Sequence, residues 1–192
     1  MTVIQLIVGL GNPGAEYDRT RHNAGFWLLD AIASHQGVGF ASESRHQALC
    51  ARFRRPGGGV VHLLKPQTFM NRSGISVQSM LAYYRLDRHQ MLVVHDELDL
   101  APGIVRLKDG GGHAGHNGLR DIIARCGGSN FWRLRLGIGR PVAGREKVAD
   151  YVLARPATSE QEALTQALDS AVSYLDRMLD GDMQSVMRSM HL

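Results

Sequence analysis

The chain has only two cysteines, Cys50 and Cys126, far apart and outside any C-x-x-C spacing. That excludes a disulfide framework and a thioredoxin-like redox motif. No window approaches the ~18 apolar residues of a membrane span, because charges interrupt every hydrophobic run. The N-terminus also lacks the long apolar stretch of a secretory signal. These absences predict a soluble protein of a reducing, cytoplasmic compartment. Neither G-x-S-x-G nor H-E-x-x-H occurs, which removes the nucleophile elbow of an α/β-hydrolase and the metal helix of a zinc protease. There is no internal repeat, linker or low-complexity tract. A chain of 192 residues suits one domain spanning 1–192, able to bury ~70% of its unfolded surface.

The net charge of +4 hides an asymmetry. Residues 1–145 carry 18 Lys or Arg against 10 Asp or Glu, a balance of +8, whereas residues 146–192 carry 4 against 8, a balance of −4. A basic body suits a polyanionic partner such as a nucleic acid, and is equally compatible with ordinary solvated charge.

Short β-rich apolar runs alternate with helical patterns, which predicts an α/β domain with a mixed, mostly parallel twisted sheet flanked by helices. "TVIQLIV" (2–8) reads as a first strand. Phe26, Leu29, Ile32 and Ala33 recur at helical spacing, with Asn23 as the expected cap. "ALCARFRR" and "VVHLLKP" flank "PGGG" as a hairpin. "ISVQSMLAYYRL" reads as a helix, and "QMLVVHDEL", "GIVRLK" and "WRLRLGIG" as strands. "GGGHAGHNGLRDIIARC" is a glycine-rich loop entering a helix. A long amphipathic helix is expected over about 158–180, capped by Thr158 or Ser159.

Gly9, Gly11 and Gly14 in "GLGNPG" carry the G-x-G-x-x-G spacing of a dinucleotide loop. The surroundings argue against it. Pro13 offers no N–H to a pyrophosphate, and "AEYDRTRHN" separates Gly14 from the helix that should begin there. The acid expected ~20 residues on is missing, since Asp30 falls inside the helix. The turn instead presents Asn12, Tyr17 and His22 beyond a strand end, where ligands gather in open α/β sheets. "PQTFMNRSG", "HDELD" and "GGGHAGHN" occupy comparable places, so Asn12, His22, Asn71, Asp96 and Asn117 are expected to share one cleft.

Such a set holds an imidazole, a carboxylate and three side-chain amides, but no activated nucleophile; Ser73 in "RSGIS" reads as a helix cap. The chemistry this suits is general-base activation of water, with a carboxylate orienting the ring and amides holding substrate or a developing oxyanion. His113 and His116, three apart and beside His95 and Asp96, raise a zinc reading, but glycine-rich surroundings would hold metal ligands poorly.

Four ordered motifs, "VGLGNPGAEYDRTRHNAG", "KPQTFMNRSG", "HDELDLAPG" and "GGGHAGHNGLRDII", together resemble bacterial peptidyl-tRNA hydrolases across about Leu6 to Pro156. The resemblance implies a mixed-sheet α/β domain that needs no metal or cofactor. It implies cleavage of the ester between a peptide and the terminal ribose of tRNA, which recycles the tRNA. His22 would then take a proton from water, Asp96 would hold that histidine in its basic form, and Asn12 would discriminate N-blocked peptidyl-tRNA from aminoacyl-tRNA. Tyr17, Phe69, Asn71 and Asn117, with Met70 and His116, would contact the tRNA end and peptide. Lys108 and Arg135 match positions that grip a tRNA phosphate. The resemblance also implies a monomer and no membrane partner. Taken singly, many of these residues have plainer roles: Asn12 in a turn, Asn117 in a cap, Tyr17 and Phe69 in a core, Lys108 and Arg135 on a solvated strand face. A tRNA-binding protein without turnover and a metal-dependent hydrolase are the competing functions.

Overall fold

The computed structural model describes residues 3–191. In chain order they form β1 (Leu6–Gly9), α1 (Ala24–Gln36), β2 (Ala41–Glu43), β3 (Ala48–Arg54), β4 (Val60–Pro66), α2 (Ser73–Tyr84) and β5 (Met91–Glu97). These are followed by β6 (Val105–Asp109), α3 (Asn117–Cys126), β7 (Trp132–Gly137), α4 (Val148–Val152), α5 (Thr158–Ser173), α6 (Leu175–Leu179) and α7 (Met183–Met190). The seven strands make one sheet ordered β2-β3-β4-β1-β5-β7-β6. Its centre, β4-β1-β5-β7, is parallel, and the pairs β2/β3, β3/β4 and β6/β7 are antiparallel.

The parallel centre reads as unbroken apolar sequence because helices cover both of its faces. Along β1 and β5 the side chains alternate. Ile7, Leu92 and Val94 join Leu29 and Ile32 of α1 and the residues of α5 to α7 in one layer. Leu6, Val8, Met91 and Val93 join Val77 and Met80 of α2 and Leu119 and Ile122 of α3 in the other. Burying each such side chain contributes roughly 1.5–3 kcal/mol. Cys50 and Cys126 are free, half-buried and packed against the second layer, and burial pushes both thiols up to about 11.

Several local expectations differ from the structure. The first strand is shorter than 2–8, and Thr2, with which it was expected to begin, lies outside the described residues. The edge strand β2 and the short helix α4 carry too little periodic sequence to be foreseen, whereas α7 lies beyond the expected helices although Met183, Val186, Met187 and Met190 recur at helical spacing. The helix expected over 158–180 breaks at Tyr174 into α5 and α6. Ala157, not Thr158 or Ser159, precedes α5; its N–H donates to the Glu160 carboxylate at 2.7 Å. Asn23 makes no capping bond to α1, because its amide is engaged elsewhere. Ser73 is the first residue of α2, where its hydroxyl donates to the Met70 carbonyl.

Gly9 and Gly11 of the opening motif serve close packing, whereas Gly14 supplies a turn with φ of 111°. A Cβ on Gly9 would lie 2.4 Å from the Gly25 carbonyl oxygen, and one on Gly25 would lie 2.5 Å from both the Leu10 nitrogen and the Val94 carbonyl oxygen. The first turn of α1 therefore rests directly on the ends of β1 and β5, which brings the preceding residues, 21–23, over the carboxyl edge of the sheet. Gly25→Ala is expected to destabilise the protein by about 2 kcal/mol, since backbone blocks the methyl on two sides. Gly39→Ala, where nothing stands within 4 Å, should change stability by less than about 0.5 kcal/mol. Urea denaturation of the two variants measures the contrast.

Candidate active site

The 3-10 turn Arg21–Asn23 leads into α1 and sets His22 against the end of β5. Its Nδ1 lies 3.0 and 2.9 Å from the two carboxylate oxygens of Asp96. On the other side of the carboxylate, His116 Nε2 stands 2.8 Å from Asp96 Oδ1. The two imidazole rings are 5.1 Å apart. Asp96 is 4% exposed. Burial alone would raise its pKa, but His22 and His116 prevail and hold the carboxyl well below the usual carboxylate range.

An ionised carboxylate only accepts hydrogen bonds. His22 therefore carries its proton on Nδ1 and donates it to Asp96, leaving Nε2 with a lone pair when the ring is neutral. For His22, burial lowers the pKa while the Asp96 charge and hydrogen bond raise it; the net result is a pKa above 6.5. His116 is fixed by both of its nitrogens. It is the N-cap of α3, and its Nδ1 accepts the N–H groups of Gly118 and Leu119 at 3.2 and 3.3 Å. The proton must then reside on Nε2, directed at Asp96. The structure thus places His116 against the carboxylate, and the cap role considered for Asn117 belongs to His116.

His22, Asp96, His116 and Asn117 line one cleft of about 320 Å³, closed on the far side by Leu98, Arg140 and the α4 residues Val148, Ala149 and Val152. Asn117 is exposed, and its Oδ1 accepts from Arg120 at 3.2 Å, leaving Nδ2 as a donor. His95 also borders the cleft but is fully buried. Its Nδ1 donates to the Asp96 carbonyl at 2.8 Å, and burial, more than the neighbouring His116, pushes its pKa down to about 3. It is a neutral wall, not an acid.

The single cleft expected for the five polar residues is not observed: Asn12 borders a separate cleft with Pro13, Asn23, Lys65 and Gln67, and Asn71 lines neither, because the two lie on other strand-end turns. Its Oδ1 accepts the Met70 N–H at 2.7 Å, which orients its Nδ2 as a donor. Asn23 holds this loop through paired bonds to the Asn12 backbone, at 2.9 and 3.0 Å. That is why Asn23 does not cap α1, and a sequence pattern matching a cap equally well conceals the role. Met70 is buried, with its sulfur beside Gly118. Asn71 is exposed on the 3-10 turn Met70–Arg72. Tyr17 and Phe69 meet edge to face at 6.2 Å, and Phe69 remains 55% exposed, unlike a core aromatic.

Lys108 on β6 and Arg135 on β7 lie on one face of the sheet, diagonal across an antiparallel pair in which Arg106 opposes Arg135 and Lys108 opposes Arg133. Lys108 is exposed, and Arg135 is 3.7 Å from Glu97. Buried Arg133 donates to the carbonyls of Gly111 and Gly112 and so pins the glycine loop that precedes His116.

Among the described residues, one group of three potential metal ligands converges: His22, Asp96 and His116, with ligand atoms within 4.8 Å of one another. His113, raised above as a partner of His116, instead accepts the Gly115 N–H. The donor chemistry fits a metal poorly. A neutral imidazole has one lone pair, and His116 already gives its own to the α3 amides, so binding a cation at Nε2 would sacrifice the cap. The arrangement suits proton transfer at His22 Nε2 with charge stabilised by Asp96.

Comparison with known proteins identifies the family. The family model for peptidyl-tRNA hydrolase matches residues 6–192. The peptidyl-tRNA hydrolase of Methylococcus capsulatus is 50% identical over 190 residues, covering 99% of this chain and 100% of the relative. That of Pseudomonas paraeruginosa is 50% identical over 192 residues, covering 100% and 98%. The crystal structure of peptidyl-tRNA hydrolase from Acinetobacter baumannii superposes with a TM-score of 0.94 at 44% identity, covering 99% of this chain and 95% of that one. The chain belongs to the peptidyl-tRNA hydrolase family.

Proposed function

We propose that this chain hydrolyses the ester joining the peptide to tRNA in N-blocked peptidyl-tRNA, with His22 as general base and Asp96 as the group that orients it. The observation that carries the roles is the contact of His22 Nδ1 with both Asp96 oxygens, which leaves Nε2 to meet water. As water attacks the ester carbonyl, Nε2 takes its proton, and the imidazolium that forms is stabilised by the buried carboxylate. Side-chain amide donors of Asn12, Asn71 and Asn117 are suited to hold the peptide and the developing oxyanion. The tetrahedral intermediate then expels the ribose oxygen, which recovers the proton from His22. The products are free tRNA and the peptide acid, which loses its proton to solvent to become the carboxylate, and the base is restored. No metal or cofactor enters this scheme.

For the partner, we assign Tyr17 and Phe69, one an exposed aromatic face, to the single-stranded tRNA end, where bases stack on aromatic rings. His116 shapes a wall, buried Met70 orients Asn12 through its N–H, Asn12 selects the blocked amine, and Lys108 with Arg135 holds a phosphate. We further propose that the protein acts as a cytoplasmic monomer on tRNA stalled in translation. Among the described residues no helix is long and apolar enough to cross a membrane.

The central test is release of free tRNA from an N-acetylated aminoacyl-tRNA and from its unblocked counterpart, with and without chelator. Cleavage of the blocked ester alone, indifferent to chelator and lost in His22→Ala, is expected. Tight tRNA binding without cleavage would overturn the enzyme reading, and recovery by zinc after chelation would overturn the metal-free one. The pH dependence follows from sign. The neutral ring is the base, so kcat/KM should climb as pH rises through a midpoint above 6.5. Asp96→Asn removes the charge that raises this pKa and leaves burial, which lowers it; the midpoint should fall while the rate drops about 10²-fold or more. Lys108→Ala should weaken tRNA binding and make log Kd less steep against log salt by about one phosphate contact. Identical slopes for variant and parent would remove Lys108 from the phosphate site.

A further inference from the structure

Arg21, the residue before His22, is buried although charged. Its guanidinium lies over the Tyr151 ring at 4.0 Å, donates through Nη1 to the Tyr151 carbonyl at 3.1 Å, and pairs through Nη2 with Glu160 at 2.7 Å. The Arg21 N–H also donates to the Ala154 carbonyl. Tyr151 in turn donates its hydroxyl to the Ile138 carbonyl at 2.6 Å, and Ile138 N–H donates to Glu97, the neighbour of Asp96.

These contacts close a circuit from the His22 turn through α4 and the end of β7 back to β5, where Asp96 stands. We infer that Arg21, acting through Tyr151, is a positioning residue that fixes the spacing of His22 and Asp96 and seats α4 as a wall of the cleft. Two features single out a positional role. The circuit joins the two segments that carry base and carboxylate without touching the cleft's reacting groups. The same short helix turns Tyr151 toward Arg21 while Val148, Ala149 and Val152 line the cleft with His22. Glu160 anchors the far end, because its carboxylate also takes the Ala157 N–H at the start of α5. A guanidinium is required: its fork reaches a carbonyl and a carboxylate at once and stacks on the ring, which an ammonium cannot do together.

The inference rests on His22 being the base. The groups that face His22 are Asp96 from β5 and His116 from the cap of α3, while His95, Glu97, His113 and Arg140 stand elsewhere in the same cleft. The experiment compares the parent with Arg21→Lys and Tyr151→Phe, measuring kcat and KM on N-acetylated aminoacyl-tRNA and following the His22 ring by NMR titration in the absence of substrate. Arg21→Lys should lower kcat about 10-fold with KM changed less than about 3-fold, as for a misplaced base. Its His22 midpoint should move down, because a looser Asp96 contact raises it less. Tyr151→Phe keeps the stacked ring and the Glu160 pair and loses only the link to Ile138, so smaller changes in the same directions are expected. If kcat and the His22 midpoint match the parent while only thermal stability falls, Arg21 is merely structural and the inference fails. If Arg21→Lys does not fold, unchanged kcat and midpoint in Tyr151→Phe overturn it equally. Hydrolysis surviving His22→Asn would instead defeat the reading of the base, and the substrate-free titration still decides the brace.

Discussion

The Asp96 carboxylate, buried at the carboxyl end of β5 between two imidazoles, is the constraint around which the site is arranged. An isolated carboxylate inside a protein would take up a proton to escape the loss of water. Here two N–H donors keep it ionised. Being an acceptor only, it dictates the tautomer of both rings: His22 must offer Nδ1–H and His116 must offer Nε2–H. The first requirement frees His22 Nε2 for chemistry. The second leaves His116 Nδ1 to cap α3, so one buried charge orders segments from three distant parts of the chain.

Bringing those segments together depends on close approach of backbone. Gly25 lets α1 sit against Leu10 and Val94, and Gly118 leaves room for Met70 beneath the start of α3. Side chains then complete the frame. Asn23 ties the turn to Asn12, Asn12 ties it to Met70, and Arg133 holds the glycine loop ahead of His116. The glycine spacing that resembles a dinucleotide loop has local causes, packing at Gly9 and Gly11 and a positive φ at Gly14. A helix starting at Ala24, ten residues beyond Gly14, has no N-terminus at that loop to receive a pyrophosphate.

The parallel centre was legible as short unbroken apolar runs, the β3–β4 hairpin from the glycine turn between its strands, and helices α1 to α3 from apolar runs longer than a strand and their preceding loops. Short elements were not. β2 is three exposed residues paired along one edge, and α4 is a five-residue helix whose position is set by Tyr151 against Arg21 and Ile138. Asn23 shows the limit at the level of one side chain: its type suits a cap, and only the fold shows that the Asn12 backbone claims its amide. Likewise "GGGHAGHN" marks a loop with two histidines, yet which of them meets Asp96 depends on where α3 begins.

By itself the sequence determined the α/β class, the strand-end location of the polar motifs and, through their ordered resemblance, the family and the pairing of His22 with Asp96. Those features are written in periodicity and in motifs that lie contiguous along the chain. The tertiary structure alone decided that His116 is the second partner of Asp96, that α4 walls the cleft, and that Arg21 links it to the His22 turn. Each depends on contacts between residues 20 to 139 positions apart, and hydrogen-bond direction and burial exist only once those segments have met.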